Sequence, residues 1–358
     1  MIYFILKRLY YGLFVLFGVV TLVFVLFNIL PGDPARMMLG QRADMASVET
    51  INKELGRDKP LLRQYTDFLN DLSPLSFHWI TSDHDPVSVW GKYEPYQKLF
   101  TVGNTAVLLK PPYLRRSYQS QRKVNDIIVQ ALPNTLLLAT VAMGFAIILG
   151  VFIGVATALR KDSWFDHTAL IVSVLGMSLP SFFAAILMAW LFAFVLADYT
   201  GLSMFGSLYS VDDFGRGEYL DLKNLILPAL TLGIRPLAII IELTRSSMLE
   251  VLSQDFIRTA RAKGLTKNRV IYRHALRNAL NPVVTAASGW FASLMAGAVF
   301  VEYVFDWKGI GVVIVDGLEK YDFPVVMGAV LFIAVMLVII NIFVDIIYGI
   351  LDPRVRLA

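Results

Sequence analysis

Residues 244–282 read TRSSMLEVLSQDFIRTARAKGLTKNRVIYRHALRNALNP, a basic loop with eight Lys/Arg against two acids. Both halves carry helical periodicity, and Gly264 stands between them. Met248, Leu252, Phe256 and Ala260 recur every fourth residue and predict one apolar stripe; Ser253, Gln254, Arg258 and Arg261 fall elsewhere on the wheel. Gly264 can take the left-handed conformation that ends a helix, with Leu265 packing back on Ala260. Thr266 can then cap a second helix that carries Ile271, Ala275 and Ala279 on one face. Small residues at Ala260, Ala262 and Gly264 permit close backbone approach. Such a loop either lies on anionic lipid headgroups or docks another protein. The residues alone favour docking only slightly.

Working outward, the loop is flanked by apolar runs at Asn224 to Thr244 and Pro282 to Val301. Four more lie at Leu9 to Leu30, Ala131 to Leu159, Thr168 to Ala197 and Phe323 to Leu351. Each can cross a hydrocarbon core of about 30 Å at about 1.5 Å per residue. The 358-residue chain is 56% hydrophobic with a mean hydropathy of +0.61, too apolar for a soluble domain. The expected class is an all-α integral membrane protein with six transmembrane helices and a large extracytoplasmic segment of mixed structure after the first. Lys7 and Arg8 precede the first run as in a signal peptide. That run is too long for a signal core, however, and Pro31-Gly32-Asp33-Pro34 is not a small-residue cleavage site, so the span reads as retained.

Net charge is only +4, and its distribution says more than its total. Lys7/Arg8, Arg160/Lys161, the basic loop and Arg354/Arg356 fall on one set of connections. The alternate connections are acidic, with five acids to two bases over 198–223 and four to two over 306–322. The positive-inside rule then places both termini and the basic loop in the cytoplasm of a multi-pass inner-membrane protein. Four regions follow: 1–30, an N-terminal segment and first helix; 31–130, an extracytoplasmic loop region; 131–351, a five-helix core containing the cytoplasmic loop 245–281; and 352–358, a cytoplasmic tail. Within 31–130, helical periodicity runs from Val48 to Asn70 with a stop signal at Leu55-Gly56. Ser73 to Ser120 is rich in aromatics and prolines and has no assignable pattern.

Pro133, Pro228, Pro282 and Pro324 are expected at span starts, where a missing N–H costs nothing. Pro180 and Pro236 lie inside spans and are expected to kink or break them, next to a cavity or helix crossing. Arg235 lies near mid-membrane, about 16 Å along the helix from Asn224. A charge there is expensive unless it faces water or a partner, so Arg235 reads equally as a pathway residue or a buried structural pair. Glu242, three residues before Arg245, is placed for a local ion pair.

Catalytic signatures are missing. The chain has no phosphate-binding P-loop, nucleophile elbow or kinase motif. It has no cysteine, and His78, His84, His167 and His274 lack ligand spacing, so no metal site is expected. A secondary carrier or channel working without ATPases would need intramembrane acids or an inverted repeat. Only Glu242 and Asp345 qualify as acids, both near cytoplasmic ends, and no repeat is visible.

The run Arg258-Thr259-Ala260-Arg261-Ala262-Lys263-Gly264, continued by His274-Ala275-Leu276-Arg277-Asn278-Ala279-Leu280, resembles the EAA loop of ABC importer permeases. The version is that of the dipeptide/oligopeptide/nickel branch. Pro31-Gly32-Asp33-Pro34, Pro133-Asn134-Thr135, Leu179-Pro180-Ser181-Phe182 and Ile226-Leu227-Pro228-Ala229-Leu230 extend the likeness, as do Val301-Glu302, Tyr321-Asp322-Phe323-Pro324 and Asp352-Pro353-Arg354. The order of motifs is similar to that of the subunit with the long first outer loop. Ser73 to Leu109 departs as an enlarged insertion, and Lys308 stands where the family commonly has proline.

The resemblance implies a translocation subunit that is not itself an enzyme. It would import peptides or similar small solutes, pairing with a homologous second permease above two ABC ATPase subunits. An extracytoplasmic solute-binding protein would deliver the cargo, with no nucleic acid involved. ATP and Mg would sit on the partners, with no cofactor bound by this chain. The family loop maps coupling onto Arg258, Thr259, Ala260, Arg261, Ala262, Lys263, Gly264, His274, Leu276, Arg277 and Asn278. Arg235, Glu242, Pro180 and Pro236 remain pathway candidates.

Overall fold

A computed structural model describes residues 2–29, 49, 52, 57–79, 91–211 and 217–351. The expectations placed on Pro31-Gly32-Asp33-Pro34, Leu55-Gly56, His84 and the 352–358 tail lie outside those residues. Four helices are long and apolar enough to cross a membrane: Leu6–Asn28, Val124–Leu159, Lys223–Leu252 and Phe323–Val344. The number rises to six if two bent pairs each count as one span.

The first bent pair corresponds to the expected span at Thr168 to Ala197. It consists of Trp164–Ser178 and Ser181–Val195, set at 112°. Pro180 causes the break. Leu179 before it is extended (φ −74°, ψ 129°), as a residue preceding proline is forced to be. Pro180 at ψ 139° then opens the next helix, its carbonyl accepting from Ala184 N at 3.0 Å. The second pair, Arg269–Met295 and Ala298–Phe305, bends by 53°.

Three prolines expected at helix starts lie inside helices instead. Pro133 sits within Val124–Leu159, Pro228 within Lys223–Leu252, and Pro282 within Leu276–Phe305. The apolar run is shorter than the helix, because the helix continues into the polar boundary. Asp126, in the first turn of Val124–Leu159, favours that extension by facing the positive end of the helix dipole. Only Pro324 lies in a first turn, that of Phe323–Leu351. Pro236 also fails to break its helix; neighbouring helices hold the surrounding turns, which a membrane interior permits.

The chain divides into two compact units: Met1–Leu16, Ala131–Val312 and Ile333–Ala358 in one, Phe17–Gln130 and Val313–Phe332 in the other. In the first, Leu138, Ala142 and Ala146 pack with Leu232, Ile240, Ala298, Phe305 and Trp307. Alanines interleave with the large side chains in this cluster and let the membrane helices approach closely. Its turn at 305–311 is tightly tied: Trp307 Nε1 donates to Asn134 O at 2.9 Å and Ile310 N to Thr135 Oγ1 at 2.9 Å. Gly311 N donates to the buried Glu302 carboxylate at 2.6 Å. A Cβ on Gly311 would run into the Val299 backbone, which explains the glycine.

The second unit holds an amphipathic helix, Leu61–Leu72, which starts after Pro60. Within 73–120, where the sequence shows no assignable pattern, the chain forms a three-stranded antiparallel sheet. Thr105–Leu109 lies between Leu75–Trp79 and Gln97–Val102, with Leu75 opposite Leu109 and Val102 opposite Thr105. Gly103, at φ +57°, makes the hairpin turn. The buried Asp71 accepts from Tyr93 Oη at 2.7 Å, and Lys110 Nζ donates to Asp71 O at 2.5 Å. Burial and the nearby Lys92 and Lys110 lower the His78 pKa to about 4, so its ring is neutral at physiological pH.

Candidate docking surface

Loop 245–281 is built as helix, turn, helix. The Lys223–Leu252 helix ends, Ser253 and Gln254 turn, and a short helix runs over Asp255–Ala262. Gly264 follows at φ +74°. Leu265 N reaches back to Ala260 O at 3.4 Å and Gly264 N to Arg261 O at 2.9 Å, the paired bonds of a Schellman stop. Leu265 packs in the same cluster as Ala260, as the sequence predicts. The chain then enters a π-helical segment, Arg269–Ala275, continuous with Leu276–Phe305.

The inner face of the loop is a small core. Met248, Val251, Ile257, Ala260, Val270, Ile271, Ala275 and Ala279 bury themselves with Val155 and Ala158 from the Val124–Leu159 helix. The expected stripe is corrected at one position: Ile257 is buried and Phe256 is 39% exposed. The break at Ser253-Gln254 resets the helical phase, so a fourfold spacing carried across it picks the wrong residue. Ile271, Ala275 and Ala279 are buried as expected.

The outer face is basic. Arg258, Thr259, Arg261, Ala262, Lys263 and Gly264 are exposed, as are Arg277 and Asn278, while His274 and Leu276 are half-buried and Ala260 is buried. Among the described residues, Arg261, Lys263, Lys267, Arg269, Arg273 and Arg277 make no ion pair; Arg258 meets Asp255 at 3.4 Å in an exposed contact. Two exposed aromatics, Phe256 and Tyr272, stand among these cations. An aromatic inside a run of cations was the signal in the sequence. A basic surface with aromatic anchors and a rigid apolar underside suits protein docking.

The stem of the loop is tied where the sequence did not foresee it. Arg245 forms a bidentate pair with Asp166, Nε at 2.6 Å and Nη2 at 2.7 Å, instead of the expected pair with Glu242. Asp166 also accepts from Asp162 N at 3.0 Å, while Ser163 Oγ accepts from Asp166 N at 3.3 Å, a helix cap. Glu242 is exposed, as is Arg235 two turns earlier on the same face. Both lie on the Lys223–Leu252 helix, whose other faces are mostly buried; Pro236 is buried beside them. Pro180 sits at the 112° break.

Residues 146–357 match the family model of the binding-protein-dependent transport system inner membrane component, and residues 1–78 match that family's N-terminal model. The chain is 36% identical to the di/tripeptide transport system permease DppB of Pseudomonas aeruginosa, over 99% of each chain. It belongs to the binding-protein-dependent transport permeases. The dipeptide transport system permease DppB of Escherichia coli K12 is 35% identical over 99% of each chain. A chain of the inward-facing MetNI methionine ABC transporter shares the fold, with TM-score 0.52 and 16% identity over 64% of this chain and 97% of that one. The permease is therefore a multi-pass inner-membrane subunit of an ABC importer. It is a transport component rather than an enzyme, ATP hydrolysis belonging to separate subunits in this family.

Proposed function

We propose that this permease forms one half of a heterodimeric pathway for peptides or similar small solutes. Its homologous partner would supply the other half, and two ABC ATPases carrying ATP and Mg would dock under loop 245–281. An extracytoplasmic binding protein delivers cargo on the opposite side, and both termini face the cytoplasm. The regions follow the sequence division: first helix within 1–30, outer region 31–130, core 131–351 and tail 352–358.

The observation that carries this reading is the basic face from Arg258 to Arg277, on which Arg261, Lys263, Lys267, Arg269, Arg273 and Arg277 make no ion pair among the described residues, over a tightly packed underside. An ATPase surface pushing on Gly264 and its neighbours would move the Asp255–Ala262 helix and, through Ile257 and Ala260, the end of the Val124–Leu159 helix. Arg245 and Asp166 extend the linkage to the broken span at Pro180. Coupling of this kind requires two arrangements that nucleotide and cargo bind unequally. Arg235 and Glu242 would line the pathway, since charges exposed within a spanning helix are tolerated beside water or a partner.

Relatives at 35–36% identity over nearly the full length, described as dipeptide and di/tripeptide permeases, support the peptide assignment. Affinity purification of the tagged chain from native membranes should bring down one second permease and two ATPase copies. A chain that purifies alone and carries solute without nucleotide would overturn the assignment.

A further inference from the structure

The second unit encloses a cavity of about 730 Å³ that the transport reading does not use. Five cationic side chains line it, Arg57, Lys59, Arg63, Lys92 and Arg115, against two carboxylates, Asp67 and Asp71. Lys59 is spoken for, pairing with Asp67 at 2.8 Å. Lys92 and Arg115 approach Asp71 only to 3.9 and 3.7 Å, beyond hydrogen-bond length, while Tyr93 occupies that carboxylate at 2.7 Å. Arg63 makes no ion pair among the described residues. Neutral His78 adds no charge of its own. Leaving Arg57 and the paired Lys59 aside, Arg63, Lys92 and Arg115 thus line the cavity with no carboxylate at hydrogen-bond length among the described residues.

Two further features define what fits. Arg115 is held at φ +68°, a left-handed conformation that costs a non-glycine residue about 1 kcal/mol, and its guanidinium stacks 5.4 Å above Phe68. The floor is apolar: Phe24 and Phe27 come from the first helix, at the end away from Lys7 and Arg8, and Phe323 and Met327 from the start of the last. Phe27 and Phe323 stack at 5.6 Å. These are the ends of two membrane-crossing helices, so the floor lies where acyl chains meet headgroups.

We propose that this cavity binds the phosphate headgroup of an anionic membrane lipid, with Arg63, Lys92 and Arg115 as its donors and the half-buried Phe27 and Phe323 receiving the upper acyl chain over the buried Phe24 and Met327. Planar guanidinium groups hold phosphate oxygens in pairs, which a lone ammonium cannot do. The volume falls within the ligand-pocket range and admits a headgroup and the first part of its chains, leaving the rest in the bilayer. A free phosphate would satisfy the cations but leave the aromatic floor uncovered. The proposal does not depend on which side of the membrane loop 245–281 occupies, nor on the peptide assignment.

The test is native mass spectrometry of the full-length permease with its co-purifying subunits, taken from nanodiscs of dioleoylphosphatidylcholine containing dioleoylphosphatidylglycerol. The wild type should retain one phosphatidylglycerol in preference to phosphatidylcholine. Arg63→Gln and Arg115→Asn should each weaken retention about fivefold, the worth of one cation near an anionic headgroup. Asparagine tolerates the left-handed backbone at 115, and Arg63 is exposed on its helix, so both variants should elute as wild type from a sizing column. Lys308→Gln with Lys320→Gln, which removes two cations outside the cavity, should leave retention unchanged. Equal retention of the two lipids, an equal loss in the control, or displacement of the lipid by millimolar inorganic phosphate would each overturn the assignment.

Discussion

Gly264→Asp is expected to abolish uptake of labelled dipeptide by cells while the permease still inserts into the membrane at wild-type abundance. A Cβ at Gly264 meets no atom of this chain within 4 Å, so the fold itself has room for a side chain there. The left-handed backbone at φ +74° adds a penalty of about 1 kcal/mol, small beside the stability of a protein this size. What changes is the exposed surface, where bulk and negative charge enter a basic face between Lys263 and Leu265. Loss of transport with normal insertion therefore reads out a partner contact rather than misfolding. Uptake within twofold of wild type would remove Gly264 from the docking surface.

Asp166→Ala should destabilise the purified permease strongly, by about 3 kcal/mol, because it strands Arg245 at a side-chain exposure of 19%. The variant also removes the acceptor of the Asp162 N–H, which adds to the loss. The sharper statement concerns the pair. Asp166→Ala with Arg245→Met should be less destabilised than the sum of the single variants, since the double variant buries no unpaired charge. Thermal unfolding in detergent, followed by tryptophan fluorescence across the four proteins, measures this. Strict additivity would show that the two residues do not support each other, and the proposed linkage from loop stem to broken span would fall.

Membrane class and the loop's helix-turn-helix form were legible because they rest on long apolar runs and on local backbone chemistry. Gly264, Leu265 and the buried face at Ile271, Ala275 and Ala279 follow from spacing alone. The 112° break follows from proline chemistry at Leu179-Pro180, although its size does not. Errors arose where local rules were carried past a boundary. Apolar length is shorter than helix length, so Pro133, Pro228 and Pro282 fall inside helices rather than at their starts. The four-residue spacing was carried through Ser253-Gln254, which exchanged Phe256 for Ile257. The partner of Arg245 stands 79 residues away, on another helix, and only packing brings it near. One signal was present but unread: Gly103-Asn104 between β-prone residues marks a tight hairpin, and a hairpin is what the chain forms there. The basic cavity could not be read at all, since Arg63, Lys92 and Arg115 converge only after the sheet and the Leu61–Leu72 helix have formed.

Because the native chain has no cysteine, a single one can report on the loop without background. Lys263→Cys in the assembled importer, with a membrane-impermeant maleimide applied to intact cells and then to inverted vesicles, tests most directly whether loop 245–281 meets ATPases on the inner side. The thiol should react only in inverted vesicles stripped of ATPases, and should be shielded when those subunits are bound. Reaction from outside intact cells, or labelling indifferent to the ATPases, would contradict the account.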